Sequence, residues 1–217
     1  METEHEEAQR LVQAFQNIDR LETGTASSIP DDHPTLFTRQ VELFFQDPAT
    51  SPASSGSFGV LFLLRRDVNH CIGSDPNSGK ALFLAAIGVM TAIDLLAKFS
   101  KGDKGKSGPR FRCFVRMYFE SISSEEADTI YQLRNALVHS FGLYSKSKCR
   151  IYHFSLGQAR GLLVQKLGND RYRVDIRTLH DRFETAIEKY RNDLMGDETL
   201  QKRFQEMYSK YGTIHIG

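Results

Sequence analysis

Three polar residues with types suited to phosphodiester chemistry lie within six positions of one another in a largely apolar helical stretch: Arg134, Asn135 and His139. Cleavage of RNA by its own 2′-OH needs a group that accepts the hydroxyl proton, a group that protonates the leaving 5′ oxygen, and positive charge beside the phosphorane. Histidine titrates near neutral pH and can act as base or acid. Arginine stays charged and forks onto two phosphate oxygens. Asn135 can orient the histidine or bind the phosphate, and no metal ion is strictly required.

Helix geometry leaves an alternative open for this trio. Residues five apart lie about 140° apart around an ideal helix, so only Asn135 and His139 are true surface neighbours. Arg134 must reach around the helix or act on a substrate that lies across both residues. In the alternative, Arg134 and Asn135 belong to a solvated face and His139 stabilises the last helical turn through the helix dipole.

Asp94 is a candidate supporting residue because it is a lone carboxylate in an apolar stretch, residues 81–97. A buried acid is usually paired with a cation. We expect Asp94 to contact Arg134 or His139 from a neighbouring helix and to orient them. The alternative is a carboxylate at the solvent-facing end of its helix.

The segment from residue 98 to residue 116 carries the strongest local charge excess of the chain, with Asp103 as its single acid. Basic side chains interleaved with aromatic ones, here Phe111, Phe114 and Tyr118, are typical of surfaces that hold a single-stranded phosphate backbone and stack bases. A solvated loop is the alternative. The predicted RNA-binding residues are Lys101, Lys104, Lys106, Arg110 and Arg112.

The whole-chain composition indicates a compact domain without a bulk electrostatic signal. The 217 residues are 40% hydrophobic and 25% charged, with a formal net charge of +1, so nucleic-acid binding must come from a local patch. Three widely spaced cysteines form no CxxC pair, which argues against a zinc site and predicts reduced thiols. The acidic N-terminus is unlike a secretory signal. We therefore expect a cytoplasmic protein without a cofactor, in which residues 81–97 form a buried core helix and not a membrane span.

Hydrophobic periodicity predicts a mainly α fold in three parts. Residues 1–56 are expected to form an N-terminal helix, over residues 5–21, followed by a flexible arm. Residues 57–146 form a helical bundle core, in which a capping box of Ser123 and Glu126 opens the helix that carries Arg134. Residues 147–217 form a small antiparallel β-meander, with a hairpin turn at residues 168–170, and C-terminal helices packed on the same domain.

The hexapeptide RNALVH, residues 134–139, resembles the R-x4-6-H signature of HEPN domains, including the polar residue that commonly follows the arginine. The resemblance covers about residues 57–142 and implies a HEPN-like helical bundle. Many HEPN domains are metal-independent endoribonucleases of toxin–antitoxin, antiphage and RNA-processing systems. It also implies a homodimer in which Arg134 and His139 of both chains line one cleft, and an antitoxin or a nucleotidyltransferase-type protein as partner.

Two features bear on how far this resemblance extends. In HEPN proteins paired with a minimal nucleotidyltransferase, a tyrosine two residues after the histidine can be modified, whereas Phe141 occupies that place here. Other HEPN domains lack nuclease activity and bind RNA, a nucleotide or a protein partner. The sequence therefore supports a ribonuclease, with a non-catalytic HEPN module as first alternative and a structural bundle with an incidental motif as second.

Overall fold

The computed structural model describes residues 35–50, 57–73, 81–147 and 150–215. The helix expected over residues 5–21 lies outside the described residues, as does most of the predicted arm. Within the described residues the fold is mainly helical, as predicted. Its helices are α1 (Leu36–Phe44), α2 (Val60–Ile72), α3 (Leu82–Lys101), α4 (Ser107–Tyr118), α5 (Ser124–Ser140), α6 (Ile176–Gly196) and α7 (Glu198–Tyr211).

Six short strands complete the described fold in two sheets. The first sheet has two antiparallel strands, β1 (Ser57–Gly59) just before α2 and β6 (Thr213–His215) just after α7. The second sheet has the order β2-β3-β5-β4. Its strands are β2 (Tyr144–Lys146), β3 (Ile151–Gly157), β4 (Val164–Lys166) and β5 (Arg171–Asp175).

Helix α3 is the central element of the fold. It is the one helix in the described part of the chain that is long and apolar enough to cross a membrane by length and composition. Here it packs against five other helices, α2 and α4 to α7, and fully buried residues such as Ala85, Met90, Ala92 and Phe99 are spread over about half of its circumference. A helix that is apolar on nearly every face is stable in water only when neighbours cover it. Helix α3 is therefore the predicted core helix.

Helix α1 belongs to this core although the sequence placed it in the N-terminal arm. Val41 and Phe44 are buried, and the Phe44 ring stacks on Phe99 of α3 with centroids 4.4 Å apart. The same ring meets Phe204 of α7 edge-on at 5.4 Å. These rings extend the hydrophobic core to residues before the predicted boundary at residue 56.

The four-stranded sheet is mixed, so the predicted antiparallel β-meander is wrong in its strand order. Strand β3 pairs with β5 in parallel, from His153 opposite Arg171 to Gly157 opposite Asp175. The chain leaves β3, reaches the outer edge to form β4, and returns as β5 between the two. The return is the predicted hairpin, because β4 and β5 pair antiparallel on either side of residues 168–170. The connection from β3 to β4 ends in Leu163, which is buried. The alternation of apolar and polar residues did not predict this path of the connection.

Helix α4 lies within the basic segment, residues 98–116, for most of its length. It starts at Ser107, and Pro109 lies in its first turn. Proline is tolerated there because the N–H groups of the first turn have no acceptor within the helix.

Helix α5 begins as predicted. The Ser123 side chain accepts a hydrogen bond from the Glu126 backbone, and the Glu126 carboxylate accepts one from the Ser123 backbone, which completes the capping box. At the other end Phe141 takes the left-handed conformation with φ 45° and ψ 39°. A bulky residue rarely adopts this conformation. The Phe141 side chain is 77% exposed.

Gly88 allows the close approach of α3 to α2. A Cβ atom at this position would lie 2.5 Å from Cγ2 of Val68, and the β-branched valine has little rotamer freedom in a helix. We expect Gly88→Ala to lower the free energy of unfolding by about 1–2 kcal/mol, because overpacking outweighs the gain in helix propensity. Urea unfolding measures the difference.

The matched control is Thr91→Ala on the exposed side of the same helix. It should change stability by less than about 0.5 kcal/mol. An alanine at residue 88 that stabilised the protein would show that α2 and α3 are not packed at this distance.

Candidate active site

Arg134 is held in place by an ion pair with Asp94 between helices α5 and α3. Its Nε donates to Asp94 Oδ2 at 2.6 Å, and its Nη2 lies 2.5 Å from the same oxygen. The arginine side chain is only 10% exposed and the aspartate side chain 19%. Two charges this deep are tolerated because each satisfies the other. Asp94 therefore contacts Arg134, as we expected from the sequence. It is not a carboxylate at a solvent-facing helix end, because its side chain is mostly buried.

The third guanidinium nitrogen joins the other two residues of the motif. Arg134 Nη1 donates to Asn135 Oδ1 at 3.2 Å and lies 2.7 Å from His139 Nε2. A guanidinium can only donate, so His139 Nε2 is the acceptor in this contact.

The long Arg134 side chain therefore reaches His139 although the two residues lie about 140° apart around the helix. The Arg134 backbone belongs to the buried side of α5, and its guanidinium extends to the helix edge where Asn135 is half-buried and His139 is exposed. Asp94, Arg134, Asn135 and His139 are thus connected by contacts that run from the core to the surface. All of these contacts are made within one polypeptide.

An open cavity of about 380 Å³ borders Asn135 and His139. Tyr131 also lines it, and residues 131, 135 and 139 share one helix face because they are four apart. The spacing of these residues in the sequence is the signal that could have placed Tyr131 beside Asn135 and His139. The remaining lining residues include Tyr144 and Lys146 of β2, which no pattern in the sequence places beside His139.

A buried hydrogen bond fixes β2 against α5. Ser145 Oγ donates to Gln132 Oε1 at 2.8 Å, and both residues are buried. Successive residues of a strand point to opposite faces, so the inward Ser145 leaves Tyr144 and Lys146 exposed on the other face. Their position in the cavity thus follows from one polar contact and the strand alternation. Tyr144 also contacts the ring of His153 on β3, with centroids 5.2 Å apart.

A second cavity of about 380 Å³ borders the ion pair of Asp94 and Arg134. Asp94 and Arg134 line it together with Lys98, Ser107 and Arg110. The Arg110 Nη1 donates to the carbonyl oxygen of Gly102 at 3.2 Å, so this side chain closes the loop between α3 and α4. Arg110 therefore contributes positive charge beside the ion pair while also stabilising the loop.

The predicted RNA-binding residues divide into exposed lysines and engaged arginines. Lys101, Lys104 and Lys106 are exposed, and no ion pair involves them within the described residues. Arg112 is engaged, because its Nε lies 2.7 Å from Asp128 Oδ1 and its guanidinium carbon lies 4.0 Å from the Tyr131 ring centroid. Arg112 thus supports a wall of the His139 cavity.

The aromatic residues of this segment do not stack bases, contrary to the prediction. Phe111 and Phe114 are fully buried and Tyr118 almost so, because they form the apolar face of α4. Burial raises the pKa of the Tyr118 hydroxyl to about 12. The exposed aromatic residues near His139 are instead Phe141 and Tyr144.

Within the part of the chain that the structure describes, no cluster of three or more histidine, cysteine or acidic side chains could hold a metal ion. Comparisons with known protein families, characterised proteins and solved structures found no match for this chain. The geometry of Asp94, Arg134, Asn135 and His139 is therefore the main structural guide to function.

Asp94→Asn should destabilise the protein because it leaves the Arg134 charge without its partner. Removing one partner of a buried ion pair lowers the free energy of unfolding by about 3–5 kcal/mol. Because Arg134 borders an open cavity, where its charge can be hydrated, we expect a smaller loss of about 2–3 kcal/mol. Urea unfolding of the single variants and of Asp94→Asn combined with Arg134→Gln measures the coupling. The double variant should lose clearly less than the sum of the two single losses.

The control is Glu120→Gln, which removes an exposed ion pair with Lys189 at 2.7 Å. Its loss should stay below about 1 kcal/mol. Additive losses for Asp94→Asn and Arg134→Gln would mean that the two side chains do not interact.

Proposed function

We propose that this protein is a HEPN-type, metal-independent endoribonuclease that cleaves RNA by 2′-OH transesterification at a homodimeric site. One observation carries the proposal: Arg134 Nη1 contacts both Asn135 Oδ1 and His139 Nε2. A fixed guanidinium, an amide and an accessible imidazole at one point are the groups that this reaction needs. The resemblance of residues 134–139 to the HEPN signature supports the same assignment.

In the proposed reaction a phosphate oxygen replaces His139 Nε2 as the acceptor of Arg134 Nη1. The freed Nε2 takes the proton of the 2′-OH, whose oxygen forms a bond to phosphorus. A protonated histidine gives its proton to the 5′ oxygen as the bond from phosphorus to that oxygen breaks. The products are a 2′,3′-cyclic phosphate and a free 5′-OH, and Arg134 and Asn135 stabilise the charge on the phosphorane.

The need for both a base and an acid favours two protomers. One imidazole cannot accept one proton and deliver another in a single step, and the cavity around His139 contains no second histidine among its lining residues. A second chain would supply the other His139, as the HEPN resemblance implies. The exposed position of His139 at the end of α5 is compatible with such a shared cleft.

The arrangement of exposed groups suggests how a single strand would lie on the protein. Lys101, Lys104 and Lys106 project from the end of α3 and the loop that follows it. Arg110 and Lys98 connect this region to the cavity beside Arg134. Tyr144 offers an exposed ring near His139 on which a base can stack. Phosphates would thus follow the lysines towards the guanidinium.

The proposed setting is the cytoplasm, with a role in toxin–antitoxin or antiphage defence and an antitoxin or nucleotidyltransferase-type protein as partner. Cys71 and Cys113 are free thiols, as expected in a reducing compartment. The defence role and these partners rest on the HEPN resemblance alone.

A non-catalytic HEPN module that binds RNA, a nucleotide or a protein is the second candidate. The observation that favours it is that Arg134 and His139 already satisfy each other at 2.7 Å. In such a module the contact between them would stabilise the end of α5, and the basic loop would provide the binding surface.

Cleavage of single-stranded RNA in the presence of EDTA tests the choice between these functions. We expect the wild-type protein to produce fragments with 2′,3′-cyclic phosphate ends. Removal of a general acid or base typically costs 10²–10⁴-fold, so His139→Ala and Arg134→Ala should each lower the rate by at least about 100-fold. His70→Ala is the control for loss of an exposed histidine, here on α2, and should leave the rate within about threefold.

Circular dichroism would establish that each variant is folded. Wild-type protein that binds RNA without cleaving it would support the non-catalytic module. Cleavage that survives His139→Ala in a folded protein would contradict the proposed chemistry.

The salt dependence of RNA binding tests the basic loop separately from catalysis. Each lysine that contacts a single-stranded phosphate adds about 0.7 to the slope of log K against log salt concentration. Replacing Lys101, Lys104 and Lys106 by glutamine should therefore reduce the slope by up to about 2, measured by fluorescence anisotropy with His139→Ala protein.

A charge-matched control replaces Lys166, Arg171 and Lys202, which are exposed on β4, β5 and α7. It should leave the slope unchanged. Equal effects of the two triple variants would assign binding to overall charge and remove the loop from the proposal.

A further inference from the structure

A separate cavity of about 460 Å³ lies where the end of α2 meets the start of α6. Asn69 of α2 lines it from one side, and Arg177 and His180 of α6 from the other. Arg160 and Asp181 lie at its edge, where both side chains are exposed. The cavity next to Asp94 and Arg134 is lined by Val60 and Leu64, so the two cavities involve opposite ends of α2.

Arg177 is a buried cation to which no described residue supplies an acidic partner. The residue is 6% exposed, and among the described residues its guanidinium makes one hydrogen bond, from Nη2 to the carbonyl oxygen of Ile72 at 3.3 Å. Its Nε is buried without any acceptor. A carbonyl at the end of a helix supplies only partial negative charge. A buried guanidinium normally needs a full counter-charge.

The other polar groups of the cavity are also incompletely satisfied. The His180 Nε2 is buried without a hydrogen bond, and burial lowers the pKa of this imidazole despite the nearby Glu184 and Asp181. Among the described residues Asp181 is the one acid that lines the cavity, and it contacts Arg160 Nε at 3.5 Å across an exposed edge. In this part of the chain two arginines face one aspartate, so the described lining has a net positive charge.

We propose that this cavity binds a small phosphate-bearing anion. Arg177 provides guanidinium donors from the interior and Arg160 provides them from the edge, and arginine pairs with phosphate oxygens through parallel N–H bonds. Asn69 and His180 can donate further hydrogen bonds. The volume is within the range of small-molecule sites, large enough for a nucleoside monophosphate. The anion supplies the negative charge that the described residues do not place beside Arg177.

Inorganic phosphate and AMP are the probes, tested by calorimetry and thermal unfolding with full-length protein in a buffer of constant ionic strength. We expect saturable binding of phosphate with a dissociation constant in the millimolar range or tighter, and a rise in unfolding temperature that chloride does not produce. AMP binding more tightly than phosphate would identify a nucleotide as ligand. Phosphate binding without AMP binding would restrict the site to smaller anions.

Arg160→Gln and Arg177→Gln locate the site. We expect each to weaken phosphate binding by at least about tenfold, as loss of a charge-assisted contact does. Arg160 is exposed, so its variant keeps the test valid if Arg177→Gln fails to fold. Arg173→Gln, which removes an exposed arginine of β5, should bind phosphate as the wild type does.

The proposal is overturned if phosphate produces no saturable effect, or if Arg160→Gln and Arg173→Gln respond to phosphate alike. His139→Ala separates this site from the proposed ribonuclease site. This variant should bind phosphate here normally, so the two proposals can fail independently.

Discussion

The ion pair between Asp94 and Arg134 is the contact on which the candidate site depends. Helix α3 can occupy the centre of the fold because its surface is largely apolar, and Asp94, its single acidic residue, joins it to Arg134 of α5. The carboxylate holds two guanidinium nitrogens, so the third points towards Asn135 and His139. Without this anchor a flexible arginine would not define one geometry at the end of α5.

Further contacts of α5 hold the walls of the His139 cavity in place. Arg112 lies between Asp128 and the ring of Tyr131, which lines the His139 cavity. The hydrogen bond of Ser145 to Gln132 brings β2 to the same cavity. Each of these contacts joins α5 to a different element. The cavity walls therefore depend on the packing of α5 against α4 and β2.

The two arginines that matter for the proposals differ in how their charge is balanced. Arg134 is neutralised within the protein by Asp94 and needs no ligand for stability, so a substrate would compete with His139 only for Nη1. Arg177 has a single backbone acceptor and no carboxylate among the described residues. Arg134 is therefore a preorganised donor whose charge is already balanced. Arg177 lacks such balance among the described residues, and burial of an uncompensated charge is costly.

Much of the fold and the residues of the site could be predicted from the sequence, because they follow from local patterns. Apolar periodicity indicated α3, the Ser123–Glu126 capping box marked the start of α5, and residue chemistry identified Arg134, Asn135 and His139. The parallel pairing of β3 with β5 could not be predicted, because alternation shows which face of a strand is buried but not which strand lies beside it. Nor could the burial of Phe111, since a helix surface becomes a core face only when neighbours cover it. The sequence by itself determined which groups are available for chemistry, whereas only the tertiary structure decided that Arg134 reaches His139, because its direction is set by Asp94, forty residues away on another helix.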